Sequence, residues 1–311
     1  MKYLVTGGAG FIGSHIVEEL VKHHDVFVMD DFSTGKLENI KNFLHESHIY
    51  HKDLSILSDC LEATIGIDIV FHLGAVKSIL ESFDNPQLYN KINIQGTQNL
   101  LQACVENKVK LVVFSSSCAV YGDTDIFPTK EISIPCPTSP YAITKLVGEY
   151  YCKVYSLQYN LPTVVLRYFN VFGERQDVDD NYSAVIPKFI NCVIQKQPLP
   201  IYGDGNQSRD FIYVKNVVDA NIKASKILGW RGESLNIAHG NAFSIIKLAQ
   251  IITDITRVEK NFVFLPSRKG EIYKSEADIT LAKEKLEYKL QYNLITGLER
   301  TIKYFTLLGN K

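Results

Sequence analysis

A doubly wound α/β fold, in which helices cover both faces of a parallel sheet and a smaller C-terminal α/β lobe follows, is predicted by three features of this 311-residue chain. Short apolar runs rich in strand formers alternate with helical stretches as far as residue 170. A glycine triplet separates the first strand from the first helix. Beyond residue 170 the rhythm breaks into shorter pieces punctuated by Pro and Gly, as in Gln197-Pro-Leu-Pro200 and Tyr202-Gly-Asp-Gly205. Alternation requires crossover connections and hence a parallel sheet, whose ligands belong beyond the carboxyl ends of its strands. The expected division is a sheet domain over 1–170, with segments near 206–240 returning to it, and a substrate-closing lobe made mainly of 171–311.

Lys2-Tyr-Leu-Val-Thr6 reads as the first strand, and Phe11-Ile12, Ile16-Val17 and Leu20-Val21 recur at helical spacing behind it. Gly8-x-Gly10-x-x-Gly13 therefore lies in a strand-to-helix turn. In that context the glycines allow a tight turn, close approach of a pyrophosphate and close helix-on-strand packing, the signature of a Rossmann-type dinucleotide site. The phosphates are expected at the positive end of the helix. Taken alone, an ordinary tight turn explains the glycines as well; strand, helix and acid together favour the cofactor. Val26-Phe-Val-Met29 is the next strand, and Asp30 at its end is placed to accept hydrogen bonds from the adenosine ribose. NAD is favoured over NADP, because a carboxylate repels a 2′-phosphate and residues 31–36 hold no arginine, Lys36 being the nearby cation. Asp53 falls near the adenine if Ile49-Tyr-His-Lys52 is a third strand, and is a solvated loop acid otherwise.

Further strands are expected at Asp68–His72, Lys110–Phe114 and Thr163–Arg167, and helices near 85–107 and 140–158. His72-Leu-Gly-Ala, Ser115–Ser117 and Tyr168-Phe-Asn170 then lie at strand ends. Ser139 suits an N-cap and Pro140 a first helical position. Both helices carry apolar residues on more than one face, which fits either a homodimer or a sandwich between sheet and lobe. The chain is 46% hydrophobic with a formal net charge of −1, which favours neither nucleic acid nor an acidic membrane as a partner. Apolar runs fall short of a bilayer span and no signal-peptide pattern opens the chain, so a soluble, cytoplasmic protein is expected. Six cysteines without a C-x-x-C pair and eight histidines without ligand spacing predict no metal site.

The reactive constellation is Ser117, Tyr141 and Lys145. Residues four apart share a helix face, so Lys145 can bring its ammonium to the Tyr141 phenol. A phenol of pKa about 10 is a poor base at neutral pH. Lowering it to about 7 requires roughly 4 kcal/mol of preferential phenolate stabilisation, which a lysine and a cationic nicotinamide can supply. Tyr141 is then expected to take a proton from a sugar hydroxyl while hydride leaves the same carbon, with Ser117 relaying the proton. Each residue alone has a plain structural reading, as a packed aromatic, a solvated lysine and a strand-end serine.

Thr6-Gly-Gly-Ala-Gly-Phe-Ile-Gly13, Phe114-Ser-Ser-Ser-Cys-Ala-Val-Tyr-Gly122, Tyr141-x-x-x-Lys145, Arg167-Tyr-Phe-Asn-Val-Phe-Gly173 and Arg209-Asp-Phe-Ile-Tyr-Val214 occur in that order. Together they resemble the extended short-chain dehydrogenase/reductases, and among these the UDP-glucose (UDP-galactose) 4-epimerases, from residue 2 to about 305. Related dehydratases and decarboxylases place an acid just after the catalytic serine or threonine, where this chain has Cys118 and Ala119. The resemblance thus implies a 4-keto sugar that is reduced again on its other face, with NAD regenerated. It assigns Asn170, Arg209 and Arg268 to the UDP phosphates, Tyr202 to the uracil, and Val185 to the substrate side. Glu271 takes the uridine-ribose position, where Asp is more usual. Gly7, Gly10, Phe11, Ile12, Gly13, Asp30, Asp31, Ser33, Gly35, Asp53, Leu54, Leu73, Ala75, Lys77, Asn93 and Tyr168 fall to NAD along with Tyr141 and Lys145. Ser275 matches a position that limits room around C2 of the sugar, and its small side chain implies access for N-acetylated sugars. A register slipped by two residues puts Tyr273 there instead and closes the site. A UDP-glucuronate 4-epimerase, a reductase consuming NAD(P)H and an inactive NAD-sensing binding protein are the alternatives.

Overall fold

The computed structural model describes residues 1–177, 184–267 and 272–309. Its strands are β1 (Lys2–Thr6), β2 (Asp25–Asp30), β3 (Ile49–His51), β4 (Ile69–His72), β5 (Leu111–Ser117), β6 (Thr163–Tyr168), β7 (Val171–Phe172), β8 (Leu199–Tyr202), β9 (Ser208–Asp210), β10 (Ile212–Tyr213), β11 (Glu233–Ile237), β12 (Ala242–Ser244) and β13 (Phe262–Leu265). Seven of them form one parallel sheet in the order β11-β6-β5-β4-β1-β2-β3. Strand order reverses between β1 and β4, so a crevice opens beyond their carboxyl ends. Helices on both faces bury β4 and β6 along their whole length, which is why these strands read as continuous apolar runs and not as alternating ones.

One face of the sheet is closed by the helices Phe11–Leu20 and Val214–Ser225, the other by Leu57–Ala63, Gly96–Glu106 and Pro140–Gln158. The pairs β7/β10, β8/β13 and β9/β12 lie outside the central sheet. The helices Val185–Ile194, Ile245–Thr256 and Leu294–Gly309 enclose a separate apolar core around Phe189, Leu248 and Leu298. The chain crosses between the two halves more than once after residue 170, within the 206–240 stretch expected to return and again beyond it. β11 pairs with β6 at the sheet edge, and Ala277, Ile279, Leu286 and Tyr288 pack into the sheet-domain core. Among the described residues no helix is long and apolar enough to cross a membrane.

The two helices singled out in the sequence depart from expectation. The stretch near 85–107 is not one helix: a π-helical turn, Asn90–Gln95, separates Pro86–Tyr89 from Gly96–Glu106. Such a turn re-aims side chains and is commonest at functional sites; here it carries Asn93. The helix Pro140–Gln158 starts as predicted, with Ser139 Oγ accepting from the Ala142 N–H at 3.2 Å. Its inward face, however, is small or polar: Ala142, Thr144, Lys145, Gly148, Glu149, Cys152 and Ser156. The Phe114 ring presses so close to Gly148 that a Cβ there would lie 2.5 Å from it. The larger apolar residues Ile143, Tyr150, Val154 and Leu157 point to solvent.

Candidate active site

The glycine turn is built by crowding. Gly7 has φ +66°, and a Cβ on it would lie 2.8 Å from the Gly74 backbone after β4. A Cβ on Gly13 would collide with the Gly7 carbonyl oxygen. The tight turn thus sits at Gly7, one residue earlier than the motif reading places it, while Gly8 packs on Val28 of β2. β1, β4 and the first helix can converge this closely only over bare backbone.

Asp30 ends β2 with its carboxylate fixed, Oδ2 accepting from the Ala9 N–H and Oδ1 from the Phe32 N–H, both at 2.9 Å. Burial raises its pKa despite these bonds. Gly35 faces it so closely that a Cβ there would be 2.6 Å from Oδ1. Asp31 shapes the same loop by accepting from the Ser33 N–H at 2.9 Å and its hydroxyl at 2.7 Å.

A cavity of about 760 Å³ runs from this turn to the end of β5. Gly7, Gly10, Phe11, Ile12, Gly13, Asp30, Asp31, Ser33, Gly35, Asp53, Leu54, Leu73, Ala75, Lys77 and Tyr168 all line it. So do Ser117, Tyr141, Lys145, Asn170, Arg209 and Ser275. The Tyr168 hydroxyl is tied to Asn221 Oδ1 at 2.9 Å, leaving its ring as wall. Three expected site residues are not part of the lining. Asn93 is buried behind it and clamps the Val76 backbone, accepting from the N–H at 2.9 Å and donating to the carbonyl at 3.0 Å. Val185 opens the helix Val185–Ile194, and Tyr202, at the end of β8, carries the Lys188 ammonium 5.5 Å from its ring centre. Arg268 and Glu271 lie outside the described residues.

At the reactive end, the Ser117 hydroxyl accepts from the Ala119 N–H at 3.2 Å and faces Tyr141 across the cavity wall, where it favours the phenolate. Lys145 Nζ donates to the Ser115 carbonyl at 2.9 Å and lies 6.0 Å from the centre of the Tyr141 ring. Burial lowers the Lys145 ammonium to about 8. Burial by itself pushes the Tyr141 phenol up to about 12, with Ser117 acting in the opposite sense, and the lowering expected from Lys145 together with a cationic nicotinamide has this shift to overcome. The cause is desolvation, which disfavours the charged phenolate. Cys118, next to Ser117, is likewise pushed up to about 11 by burial and stays a neutral thiol.

Several supporting residues escaped the sequence reading. Glu149 and Arg167 form a buried bidentate pair, with Nη2 2.6 Å from Oε2 and Nε 2.9 Å from Oε1. Ser116 Oγ donates to Glu149 at 2.5 Å, Arg167 Nη1 donates to the Tyr121 hydroxyl at 2.9 Å, and Tyr121 donates to Asn236 at 2.6 Å. This network braces β5 and the helix Pro140–Gln158 from behind. Its signals were present: Glu149 lies one turn beyond Lys145, and Arg167 interrupts an apolar strand. Asp210 gave no local signal. Fully buried, it accepts N–H bonds from His239 at 2.8 Å, Gly240 at 3.0 Å and Ala277 at 3.2 Å, from far along the chain, and so fixes β9 and the adjacent Arg209. Burial raises its carboxyl to about 7. Arg175 and Gln176 also line the cavity. Glu18 holds Arg175 Nη2 at 2.6 Å, whereas Arg175 Nη1 and Gln176 Oε1 are buried without a hydrogen-bond partner among the described residues.

A Rossmann-type sheet with a glycine turn, a ribose-side acid and a Ser–Tyr–Lys group in one cavity defines a dinucleotide-dependent enzyme. The family model described as "NAD dependent epimerase/dehydratase family" matches residues 3–238. The Bacillus subtilis (strain 168) protein named "Uncharacterized UDP-glucose epimerase YtcB" is 38% identical over 320 residues, covering 99% of each chain. The structure of a UDP-N-acetylglucosamine 4-epimerase from Methanobrevibacter ruminantium M1, in complex with UDP-N-acetylmuramic acid, superposes with a TM-score of 0.95 at 41% identity, covering 99% of this chain and 98% of that one. That of a UDP-glucose 4-epimerase from Thermotoga maritima, with UDP-glucose, gives 0.94 at 36% identity, covering 99% of both. The chain belongs to the NAD-dependent epimerase/dehydratase family, and its cofactor is NAD.

Proposed function

We propose that the protein, an isomerase by its kinship with 4-epimerases, interconverts UDP-glucose and UDP-galactose and also accepts the N-acetylated pair, through a transient 4-keto sugar. The observation that carries this reading is the end of β5: Ser117 meets Tyr141 over Lys145, and the two following positions are the neutral Cys118 and Ala119. No carboxylate stands there to expel or remove a group from the keto sugar, so the sugar's remaining course is to turn over and be reduced again.

The chain's residues fit the cofactor, since the Gly7 and Gly13 crowding leaves bare backbone for a pyrophosphate and Asp30 presents a fixed carboxylate for a ribose. Bound NAD supplies the hydride acceptor and donor and a positive charge near the phenol. Tyr141 takes the proton of the C4 hydroxyl and returns it after the sugar has turned, Ser117 holds that hydroxyl, and Lys145 stabilises the phenolate. Asn170 and Arg209 bind the diphosphate, Arg209 through a fork matched to phosphate oxygens. We assign Arg268 and Glu271 to the same end by resemblance, with Tyr202 and Val185 at its margin.

Acceptance of N-acetylated sugars is supported by Ser275, which lines the cavity while Tyr273 is exposed. A homodimer is supported by the outward apolar face of the helix Pro140–Gln158 together with exposed Leu80, Phe83 and Leu88. A cytoplasmic location is supported by six cysteines that are all free thiols. The test is incubation with UDP-galactose and a trace of NAD⁺. UDP-glucose is expected without net NADH, and Tyr141→Phe is expected to slow it about 10²- to 10⁴-fold. Stoichiometric NADH, or unchanged turnover in Tyr141→Phe, overturns the proposal.

A further inference from the structure

We propose that His72 and Thr97 are positioning residues for the reaction assigned above, on which this inference rests: they carry a one-way chain of hydrogen bonds from the glycine turn to the backbone of Tyr141. The Gly74 N–H donates to Thr6 Oγ1 at 3.2 Å, and Thr6 Oγ1 lies 2.8 Å from His72 Nδ1. His72 Nε2 lies 2.9 Å from Thr97 Oγ1, which donates to the Asn93 carbonyl at 2.6 Å. Asn93 Nδ2 donates to Thr144 Oγ1 at 3.0 Å, and Thr144 donates to the Tyr141 carbonyl at 2.7 Å.

The direction follows from counting protons. Thr97 has one hydroxyl proton and gives it to Asn93, so His72 Nε2 must be the donor to Thr97. Burial and the Lys145 charge hold the ring pKa down to about 3, so the ring is neutral and has a single N–H. Nδ1 is therefore bare and accepts from Thr6. Thr6, His72, Asn93, Thr97 and Thr144 are each no more than 3% exposed, so water cannot replace a lost member and each break leaves a buried polar group unpaired. The Asn93 clamp on Val76 ties in the cavity-lining segment between Leu73 and Lys77. Both walls of the cavity are thus referenced to one buried polar spine.

The experiment measures UDP-galactose turnover in wild type, Thr97→Val, Thr97→Ser, His72→Gln and His72→Asn, together with nitrogen-15 spectra of the wild-type ring nitrogens. Valine keeps the shape of threonine but can neither accept nor donate. A displaced phenol is expected to lower kcat about 10- to 100-fold with KM within about twofold, and serine to recover most of that loss. Glutamine keeps an N–H near the Nε2 position and asparagine an oxygen near Nδ1, so glutamine should retain the higher kcat. The spectrum should show a single species with Nε2 protonated and Nδ1 bare from pH 5 to 9. An Nδ1–H tautomer, a titrating ring, or wild-type kcat in Thr97→Val overturns the proposal. Should the His72 variants not fold, the wild-type spectrum and the Thr97 pair still decide it. If wild type turns over no UDP-hexose while its spectrum shows the Nε2–H form, the functional reading fails and the hydrogen-bond chain stands.

Discussion

Lys145 shows how far a reactive residue departs from the most stable choice. Burial lowers its ammonium from 10.5 to about 8, so below pH 8 the folded chain carries a charge that the unfolded chain accommodates better. The penalty is roughly 3 kcal/mol at neutral pH. It fades as pH rises from 8 to 10.5, where the unfolded chain binds more protons than the folded one. Lys145→Met is therefore expected to be inactive yet more stable than wild type at pH 7, by up to that amount, with the advantage shrinking toward pH 10. Urea unfolding of the two proteins across that range measures it; a variant less stable at pH 7, or a gap that ignores pH, contradicts the assignment. Ser275 makes a second prediction at this scale. Ser275→Tyr should depress turnover of UDP-N-acetylglucosamine about 10-fold or more relative to UDP-glucose, the order expected when a pocket loses room for one small group. An unchanged ratio removes Ser275 from the sugar pocket.

Among the elements, the helix Pro140–Gln158 carries both the proposed reactive pair, Tyr141 and Lys145, and the outward apolar face of the proposed dimer. Its sheet-facing side holds Thr144, Lys145 and Glu149 in hydrogen bonds, so the large apolar residues that ordinarily face a core are turned outward. Tyr150 is 60% exposed and Val154 46%, on a face that the described residues leave uncovered. Tyr150→Glu with Val154→Glu is expected to convert a dimer to a monomer, read by light scattering at micromolar concentration, while leaving the far-ultraviolet dichroism unchanged. A wild type that is already monomeric sinks the dimer.

For the whole molecule, the sheet-domain and lobe cores both pack on Ile12 and Val171, beside the glycine turn and at the domain junction. Unfolding should therefore be a single transition, and NAD should stabilise both halves together. At 100-fold excess over its Kd, NAD is expected to raise the unfolding free energy by about 2.7 kcal/mol. NADP at the same concentration should do much less, because its 2′-phosphate meets Asp30. Equal stabilisation by the two nucleotides, measured in the same denaturant titration, contradicts the role given to Asp30.

The alternation of strands and helices, the glycine turn, Asp30 and the Ser117–Tyr141–Lys145 group were legible in the sequence because each depends on local spacing: period, turn chemistry, or four residues on a helix. The tertiary structure alone decided which face of the helix Pro140–Gln158 is buried, that Asn93 sits behind the cavity and not in it, that Asp210 anchors Arg209, and that His72 joins Thr6 to Thr97. Those outcomes depend on partners 25 to 67 residues apart, whose pairing is settled by burial. The same burial acts on Tyr141: the lysine one turn along its helix can be read from the sequence, but the loss of water around the phenol, which raises its pKa, cannot.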